Sequence, residues 1–100
     1  MKIVLITRHC LKRVLERAKI LDEYERMKLI EEILLKGKIV DKKGKNILVK
    51  FNEHYLILRL SSKGLIAISY TSGVVPRGFS EKLTNLSLEK PFKLKKLKPN

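Results

Sequence analysis

The sequence has few of the residues that mark several common protein classes. It contains one cysteine, Cys10, and no tryptophan among its 100 residues. A lone cysteine excludes a disulfide within the chain and agrees with a reducing compartment. No apolar run approaches the length of a membrane-spanning helix, and the apolar stretch at residues 3–6 is too short for the core of a signal peptide. We therefore expect a cytoplasmic protein that does not enter the membrane.

The patterns that build common metal and nucleotide sites are also missing. The sequence has no CxxC, HxxxH or DxD pattern, no glycine-rich phosphate loop and no GxSxG. Its soft metal ligands are limited to His9, Cys10 and His54. The sequence therefore predicts neither a metal nor another cofactor.

Acidic side chains are scarce relative to basic ones. Ten Asp and Glu stand against 23 Lys and Arg, which gives a net charge of +13 and a pI near 10.1. Such a field predicts a polyanionic partner, which is a nucleic acid, an acidic protein or an anionic membrane surface. A membrane is the least favoured of these, because no segment pairs a large apolar face with a purely basic one. The lack of glutamine beside many Lys, Glu, Ile and Leu residues is typical of a thermophilic source.

The first third of the chain has helical periodicity. Apolar residues three and four positions apart predict helices over residues 8–19 and 22–36. Thr7 is placed to cap the start of the first helix, and Asp22, followed three positions later by a glutamate, resembles a capping box for the second. Gly37 is placed to end the second helix.

The apolar period changes to two from residue 38 onward. Alternation predicts strands over residues 46–51, 54–61 and 65–71, with a further short strand before them. Residues 2–6 fit either a strand or an apolar lead-in to the first helix. A three-residue loop at 62–64 sets the pairing of the last two strands.

This register predicts which side chains face the helices. It pairs Leu58 with Ile68, and the two-residue turn at 52–53 fixes the preceding pair of strands. The face under the helices then consists of Ile47, Val49, Phe51, Leu56, Leu58, Leu60, Ile66, Ile68 and Tyr70. The opposite face carries Lys50, Tyr55, Ile57, Arg59, Ala67, Ser69 and Thr71.

The predicted fold class is α+β, with two N-terminal helices packed on an antiparallel sheet of three to four strands. This domain covers residues 1–72, and residues 73–100 form a basic extended C-terminal tail. The tail holds all three prolines and has no sustained period. It fits either a segment packed loosely on the domain or an arm that binds nucleic acid.

Two groups of side chains suit the cleavage of RNA without a metal. His9, Arg13 and Arg17 recur every four residues along the first helix, while Lys50, Tyr55 and Thr71 form a row across the sheet. Cleavage needs a base for the ribose 2′-hydroxyl, a cation for the phosphorane and an acid for the leaving oxygen. Histidine is the side chain that changes charge nearest neutral pH, so either histidine fits one proton-transfer role, although His54 also fits a structural role. We assign the catalytic role to His9, Arg59, Tyr55 and Thr71. Nucleic-acid binding is assigned to Arg13, Arg17, Lys50, Arg77, Lys93, Lys95 and Lys96.

The stretch ITRHCLKRVLERAKI also carries a family resemblance. It resembles the opening helix of small BrnT-like toxin domains, which show an H-A-L-x-R-x-x-x-R-G-I pattern and are similar to the RelE and barnase/colicin group of ribonuclease folds. The resemblance spans residues 6–72 in the order of elements. The chain departs from the pattern with Cys10 in place of alanine and with Ala18-Lys19 where glycine is frequent. The matching residues are His9, Leu11, Arg13, Arg17 and Ile20.

The resemblance implies an RNA-cleaving toxin with catalytic groups on the first helix and the last strands. The favoured function is therefore a metal-independent endoribonuclease of the toxin type, neutralised by an acidic antitoxin-like protein. One alternative is a nucleic-acid-binding protein that uses the same basic surface without catalysis. Another is a scaffold or interaction subunit whose charge serves solubility.

Overall fold

The structure is a computed structural model that describes residues 2–97, and it contains two helices and six strands. In chain order these are β1 (Lys2–Ile6), α1 (Arg8–Ala18), α2 (Glu23–Lys36), β2 (Lys38–Lys43), β3 (Asn46–Phe51), β4 (His54–Ser61), β5 (Gly64–Ser72) and β6 (Phe92–Lys96). No helix in this described part of the chain is long and apolar enough to cross a membrane.

Both predicted helices are present, with bounds within one residue of those expected. The Thr7 hydroxyl caps α1 by accepting the Cys10 N–H at 3.0 Å. Lys19 ends α1 in the left-handed conformation, with φ of 61°. Asp22 stands at the N-cap of α2 but its side chain makes no capping hydrogen bond, so the expected capping box is not formed.

Gly37 ends α2 as predicted, but for a different reason. Its backbone is extended, with φ of −79°, so a left-handed conformation is not what requires glycine. A Cβ atom at this position would lie 2.4 Å from the Ile33 carbonyl oxygen and 2.8 Å from that of Lys50. Glycine is needed because α2 and β3 approach each other closely here.

The predicted antiparallel sheet of three to four strands is wrong. The sheet has six strands in the order β2-β3-β4-β5-β1-β6, and β1 is parallel to both of its neighbours. Residues 2–6 form a strand between β5 and β6 instead of a lead-in to α1. Residues 92–96, which were assigned to the basic tail, form a strand at the edge of the sheet.

The predicted strand register is confirmed for one pair of strands and for half of the next. Val49 lies opposite Leu56, as the two-residue turn at 52–53 predicts. The β4–β5 pair follows the expected register from His54 to Ile57, but then shifts by one residue at a bulge. The loop has two residues, and Leu58 lies opposite Ala67 instead of Ile68.

This bulge exchanges the faces of the first half of β5. Leu65 and Ala67 are buried against the helices, whereas Ile66 and Ile68, which were expected there, are only half-buried. The rest of the core face matches the prediction at Leu56, Leu58 and Tyr70. The main core lies between the helices and this face and contains Val4, Ile6, Cys10, Leu11, Val14, Ile30, Ile33, Leu34, Ile47, Val49, Leu56, Leu58, Leu65, Ala67, Tyr70 and Leu88.

The second face of the sheet is covered by residues 73–86, which we call the cover segment. Val75 and Phe79 pack there against a small cluster of Val40, Leu48 and Tyr55. The backbone of the cover segment also follows β2, since the Lys82 N–H donates to the Val40 carbonyl at 3.0 Å and the Ile39 N–H to the Leu86 carbonyl at 2.8 Å.

The chain then returns to the far edge of the sheet. Glu89 pairs with Lys2 at 3.0 Å, and β6 follows beside β1. The expected extended tail is therefore folded onto the domain throughout residues 73–97. Met1 and residues 98–100, which belong to the predicted domain and tail, lie outside the described residues.

Candidate nucleic-acid interface

The exposed side of α1 carries a concentration of positive charge. We call Arg8, His9, Lys12, Arg13 and Arg17 the α1 basic surface. The helix turns these side chains outward because Cys10, Leu11 and Val14 occupy the side buried in the main core. One carboxylate of the helix, Glu16, opposes them. Arg8 and Lys12 form no ion pair with any residue of the described chain, which leaves their charge available to a ligand.

His9 and Arg13, which were predicted to share one side of the helix, are hydrogen-bonded to each other. Arg13 Nε donates to His9 Nε2 at 3.3 Å, and another guanidinium nitrogen, Nη1, contacts Glu16 Oε1 at 3.0 Å. The His9 side chain is exposed. A solvent-accessible imidazole therefore lies next to a guanidinium that is already held in place.

Arg17 reaches the margin of the sheet. Its Nη1 donates to the Tyr70 carbonyl oxygen at 3.0 Å. That oxygen is free because β1 pairs with β5 only from Leu65 to Ala67 and the chain then turns into α1. One end of the His9, Arg13 and Arg17 stripe is thus anchored beside Thr71, the next residue of β5.

The structure does not bring His9 to the other predicted catalytic residues. α1 packs on the core face of the sheet, whereas Tyr55 and Arg59 alternate with the core residues Leu56 and Leu58 and lie on the second face. The sheet therefore separates His9 from Tyr55, Arg59 and Thr71. The predicted site combined residues from both faces, and the structure shows them as two separate groups.

The predicted polar row across the sheet is formed but is not open. Lys50 lies opposite Tyr55, and Tyr55 opposite Thr71. Tyr55 is only 5% exposed. Glu81 of the cover segment accepts the Tyr55 hydroxyl at 2.6 Å and pairs with Lys50 Nζ at 2.7 Å. Lys50 and Tyr55 are therefore engaged within the protein.

The contacts among Lys50, Tyr55 and Glu81 shift the pKa of each of these three groups. The hydrogen bond from Lys50 lowers the pKa of Glu81, and the same bond raises the pKa of Lys50. The hydrogen bond to Glu81, followed by burial, raises the pKa of Tyr55. Tyr55 is thus held protonated as a structural donor, which disfavours a proton-transfer role.

The predicted catalytic residue Arg59 and the remaining predicted binding residues are dispersed. Arg59 is exposed opposite Asn46 and Ile66, away from α1. Arg77 is exposed in the cover segment, and Lys93 and Lys95 are exposed on β6. Lys96, at the end of β6, is the member of this group that approaches the α1 basic surface.

Lys96 lies at a cleft between the two helices and β6. Its Nζ pairs with Glu23 Oε1 at 2.9 Å, and this hydrogen bond lowers the pKa of Glu23. The cleft has a volume of about 700 Å³. It is lined by Arg8, His9, Leu11, Lys12, Leu15, Glu23, Arg26, Lys96 and Leu97. Sequence reasoning missed Arg8, Lys12 and Arg26 because the cleft exists only once β6 joins the sheet.

The second histidine takes part in a separate contact. His54 Nδ1 lies 2.6 Å from the Tyr70 hydroxyl, and His54 Nε2 lies 3.3 Å from Glu53 Oε1. Tyr70 is fully buried, and burial raises the pKa of its hydroxyl. With Tyr70 inaccessible to a ligand, this arrangement supports a structural role for His54.

Neither thiol chemistry nor a metal centre can be built from the described residues. Burial raises the pKa of Cys10 to about 12, which keeps the thiol protonated and unreactive. Within residues 2–97, no group of three or more His, Cys, Asp and Glu side chains is placed to hold a metal ion.

Comparison of the chain with family models, curated proteins and solved structures gave no match. The resemblance to BrnT-like toxins accordingly stays a sequence-based expectation.

Asp41 fastens the cover segment to the sheet. It is 4% exposed, its Oδ2 accepts the Ser80 N–H at 2.8 Å, and its Oδ1 pairs with Lys82 Nζ at 3.0 Å. The Ser80 hydrogen bond, then the Lys82 contact, lowers the pKa of Asp41 from 3.8 to about 2. Because the folded protein has the lower pKa, Asp41 stabilises the fold above pH 3.8, and this contribution is lost as the pH falls toward 2.

We expect Asp41→Asn to lower the melting temperature at pH 7, since the amide cannot replace the charged contacts. The difference from the unsubstituted protein should shrink as the pH is lowered from 4 to 2. Thermal unfolding followed by circular dichroism over this pH range measures both effects. Asp22→Asn is the matched control, because the Asp22 side chain makes no capping bond. An Asp41→Asn variant as stable as the parent at pH 7 would contradict the assignment.

Proposed function

We propose that this protein binds RNA through the α1 basic surface. The observation that carries the proposal is the placement of four cationic side chains and one histidine on the exposed side of a single helix, against one carboxylate. Arg17 is anchored at the sheet margin and Arg13 is positioned by Glu16. These contacts orient two guanidinium groups before any ligand arrives, which reduces the entropy lost on binding.

Phosphate is the ligand that such a surface suits. Guanidinium groups bind phosphate oxygens with two parallel hydrogen bonds, and lysine adds a mobile point charge. Four phosphate contacts to a single strand give a slope of about −2.8 for log affinity against log salt. The sequence resemblance to ribonuclease toxins favours RNA over DNA as the polyanion, and it supports a cytoplasmic location.

RNA affinity should therefore depend steeply on salt and on two α1 arginines. We expect the affinity for a single-stranded RNA oligonucleotide to fall about fiftyfold between 50 and 200 mM salt. The double variant Arg13→Gln and Arg17→Gln should flatten the salt slope by about 1.4, since two phosphate contacts are lost. Fluorescence anisotropy at several salt concentrations measures both quantities.

A matched control removes the same charge elsewhere. Lys42 and Lys43 are exposed at the end of β2, and their double change to glutamine should leave the salt slope nearly unchanged. An equal flattening of the salt slope in the two double variants would mean that net charge, not the α1 basic surface, governs binding. Equal affinity for a DNA strand of the same sequence would contradict the choice of RNA.

A second candidate function is metal-independent RNA cleavage at the same surface. The observation that favours it is the hydrogen bond from Arg13 Nε to His9 Nε2, which places an accepting imidazole nitrogen next to a cation. When a substrate phosphate draws Arg13 away from His9 Nε2, that nitrogen is released to accept the ribose 2′-proton while Arg13 stabilises the phosphorane. As a toxin, the protein would require an acidic antitoxin-like partner, for which the same basic surface is complementary.

A further inference from the structure

We propose that the cleft between α1, α2 and β6 binds one unstacked nucleotide of single-stranded RNA. Its base would lie against the apolar part of the lining and its phosphate at the cationic rim. This inference rests on the proposed RNA-binding function and adds the part of the ligand that the cleft recognises.

The cleft is built from three separate elements. Arg8, Lys12 and Leu15 come from α1, Arg26 from α2, and Leu97 follows β6. The Leu97 N–H donates to the Ile6 carbonyl oxygen at 2.8 Å, and the pair between Lys96 and Glu23 joins the end of β6 to α2. The walls are thus fixed by contacts across the fold.

Part of the lining of the cleft is apolar. Leu11, Leu15 and Leu97 contribute to it, and Leu97 remains 36% exposed. Aliphatic side chains in a cleft bind the flat face of a nucleobase favourably, because the contact removes apolar surface of the leucines and of the base from water. A bare phosphate would gain nothing from these three leucines.

The rim of the cleft has an excess of positive charge. Four cationic side chains and one carboxylate line it, which leaves three positive charges in excess. Glu23 is already paired with Lys96, so the charges of Arg8, Lys12 and Arg26 are not neutralised by any ion pair within residues 2–97. This balance selects an anionic ligand.

Arg26 gives a second indication of a ligand. Its Nε is buried and has no hydrogen-bond partner among the described residues. Buried donors are nearly always satisfied in folded proteins, because an unmade hydrogen bond is costly. Because this Nε is closed to solvent, a phosphate oxygen can satisfy it only when the Arg26 side chain turns into the cleft that it lines.

Size distinguishes a nucleotide from smaller anions. The volume of about 700 Å³ lies within the range of about 300–1,000 Å³ that is typical of small-molecule sites. His9 also lines the cleft and belongs to the α1 basic surface. A nucleotide seated there would direct the adjoining strand along that surface, so the cleft would determine which base is placed beside His9.

The test compares four probes on the full chain by NMR, namely adenosine 5′-monophosphate, uridine 5′-monophosphate, ribose 5-phosphate and inorganic phosphate. We expect at least one nucleotide to bind about tenfold more tightly than ribose 5-phosphate, and to shift the methyl signals of Leu11, Leu15 and Leu97. Arg26→Gln should weaken nucleotide binding about tenfold, and the exposed Arg8→Gln variant gives the same comparison if Arg26→Gln does not fold. Lys43→Gln, exposed at the end of β2, is the control that removes one positive charge away from the cleft, and it should bind nucleotide unchanged.

Equal binding of all four probes would overturn the proposal, since the cleft would then be an anion site without base recognition. Nucleotide shifts confined to residues outside the cleft would overturn it as well. If RNA binding still depends on Arg13 and Arg17 in that case, the proposed function stands and only the nucleotide site fails. If the nucleotide binds in the cleft but RNA does not bind the protein, the proposed function fails and the site stands as one for free nucleotides.

Discussion

Leu58→Ala should lower the free energy of unfolding by about 2–5 kcal/mol, which is a large part of the stability of a domain this size. Leu58 is completely buried at the centre of the sheet, between Ile47 on β3 and Ala67 on β5. Truncation removes its apolar contacts with the main core and leaves a cavity that flanking strands cannot close. Urea denaturation gives the change directly, with an unchanged denaturant slope as evidence that the unfolding transition is the same.

Leu60→Ala is the matched control on the same strand. Leu60 is 40% exposed, so its truncation should cost far less than that of Leu58. If both variants unfolded like the parent protein, neither the position of β4 in the core nor the strand register described above would be correct.

His9→Ala should reduce RNA cleavage about hundredfold if the α1 basic surface is catalytic, because the base for the 2′-hydroxyl is removed. In this step the 2′-oxygen bonds to phosphorus, the bond to the 5′-oxygen breaks, His9 takes the 2′-proton, and water returns a proton to the leaving oxygen. The products are a 2′,3′-cyclic phosphate and a 5′-hydroxyl. The measurement is incubation of total RNA with purified protein in EDTA, followed by analysis of the ends.

The controls for this experiment follow from the two faces of the sheet. Arg59 was assigned a catalytic role from the sequence, but it lies on the face opposite α1, so Arg59→Ala should cleave RNA like the parent protein. Thermal melts of both variants should match the parent, since both side chains are exposed. If the parent protein binds RNA and leaves it intact, the surface is a binding site without catalysis.

Local sequence signals were sufficient for the helices and for β3 and β4. The helical spacing and Thr7 define α1, and the turn at 52–53 determines the pairing of Val49 with Leu56. The bulge in β5 was not predictable in this way. The position of Gly64 indicated a three-residue loop, and a bulge leaves no periodic signal in the sequence. The strand that lies beside this region, β1, approaches Gly64 closely at the Ile3 carbonyl but is distant in sequence.

The strand β6 was not predicted, for a different reason. Residues 92–96 do alternate between apolar and basic residues, but their charge made an exposed tail the simpler interpretation. In the structure Phe92 and Leu94 pack against the main core while Lys93 and Lys95 remain exposed. The alternation was visible, whereas the partner strand, β1, was distant in sequence.

The candidate site was predictable where it depends on local residue spacing. The regular spacing of His9, Arg13 and Arg17 correctly placed them on one exposed side of α1. The row of Lys50, Tyr55 and Thr71 was also correct as a row. The contacts of Glu81 with Lys50 and Tyr55 were not predictable, because they depend on the path of the cover segment, for which the sequence has no periodic signal.

The position of β1 between β5 and β6 affects how the sheet forms. Lys2 pairs with Phe92, so the second edge of β1 is covered only when a segment from the far end of the described residues is in place. Until then its backbone groups are open to pairing with other chains, and such long-range parallel pairing forms slowly. The pairing of β6 with β1, more than any local turn between neighbouring strands, therefore controls when the sheet is completed.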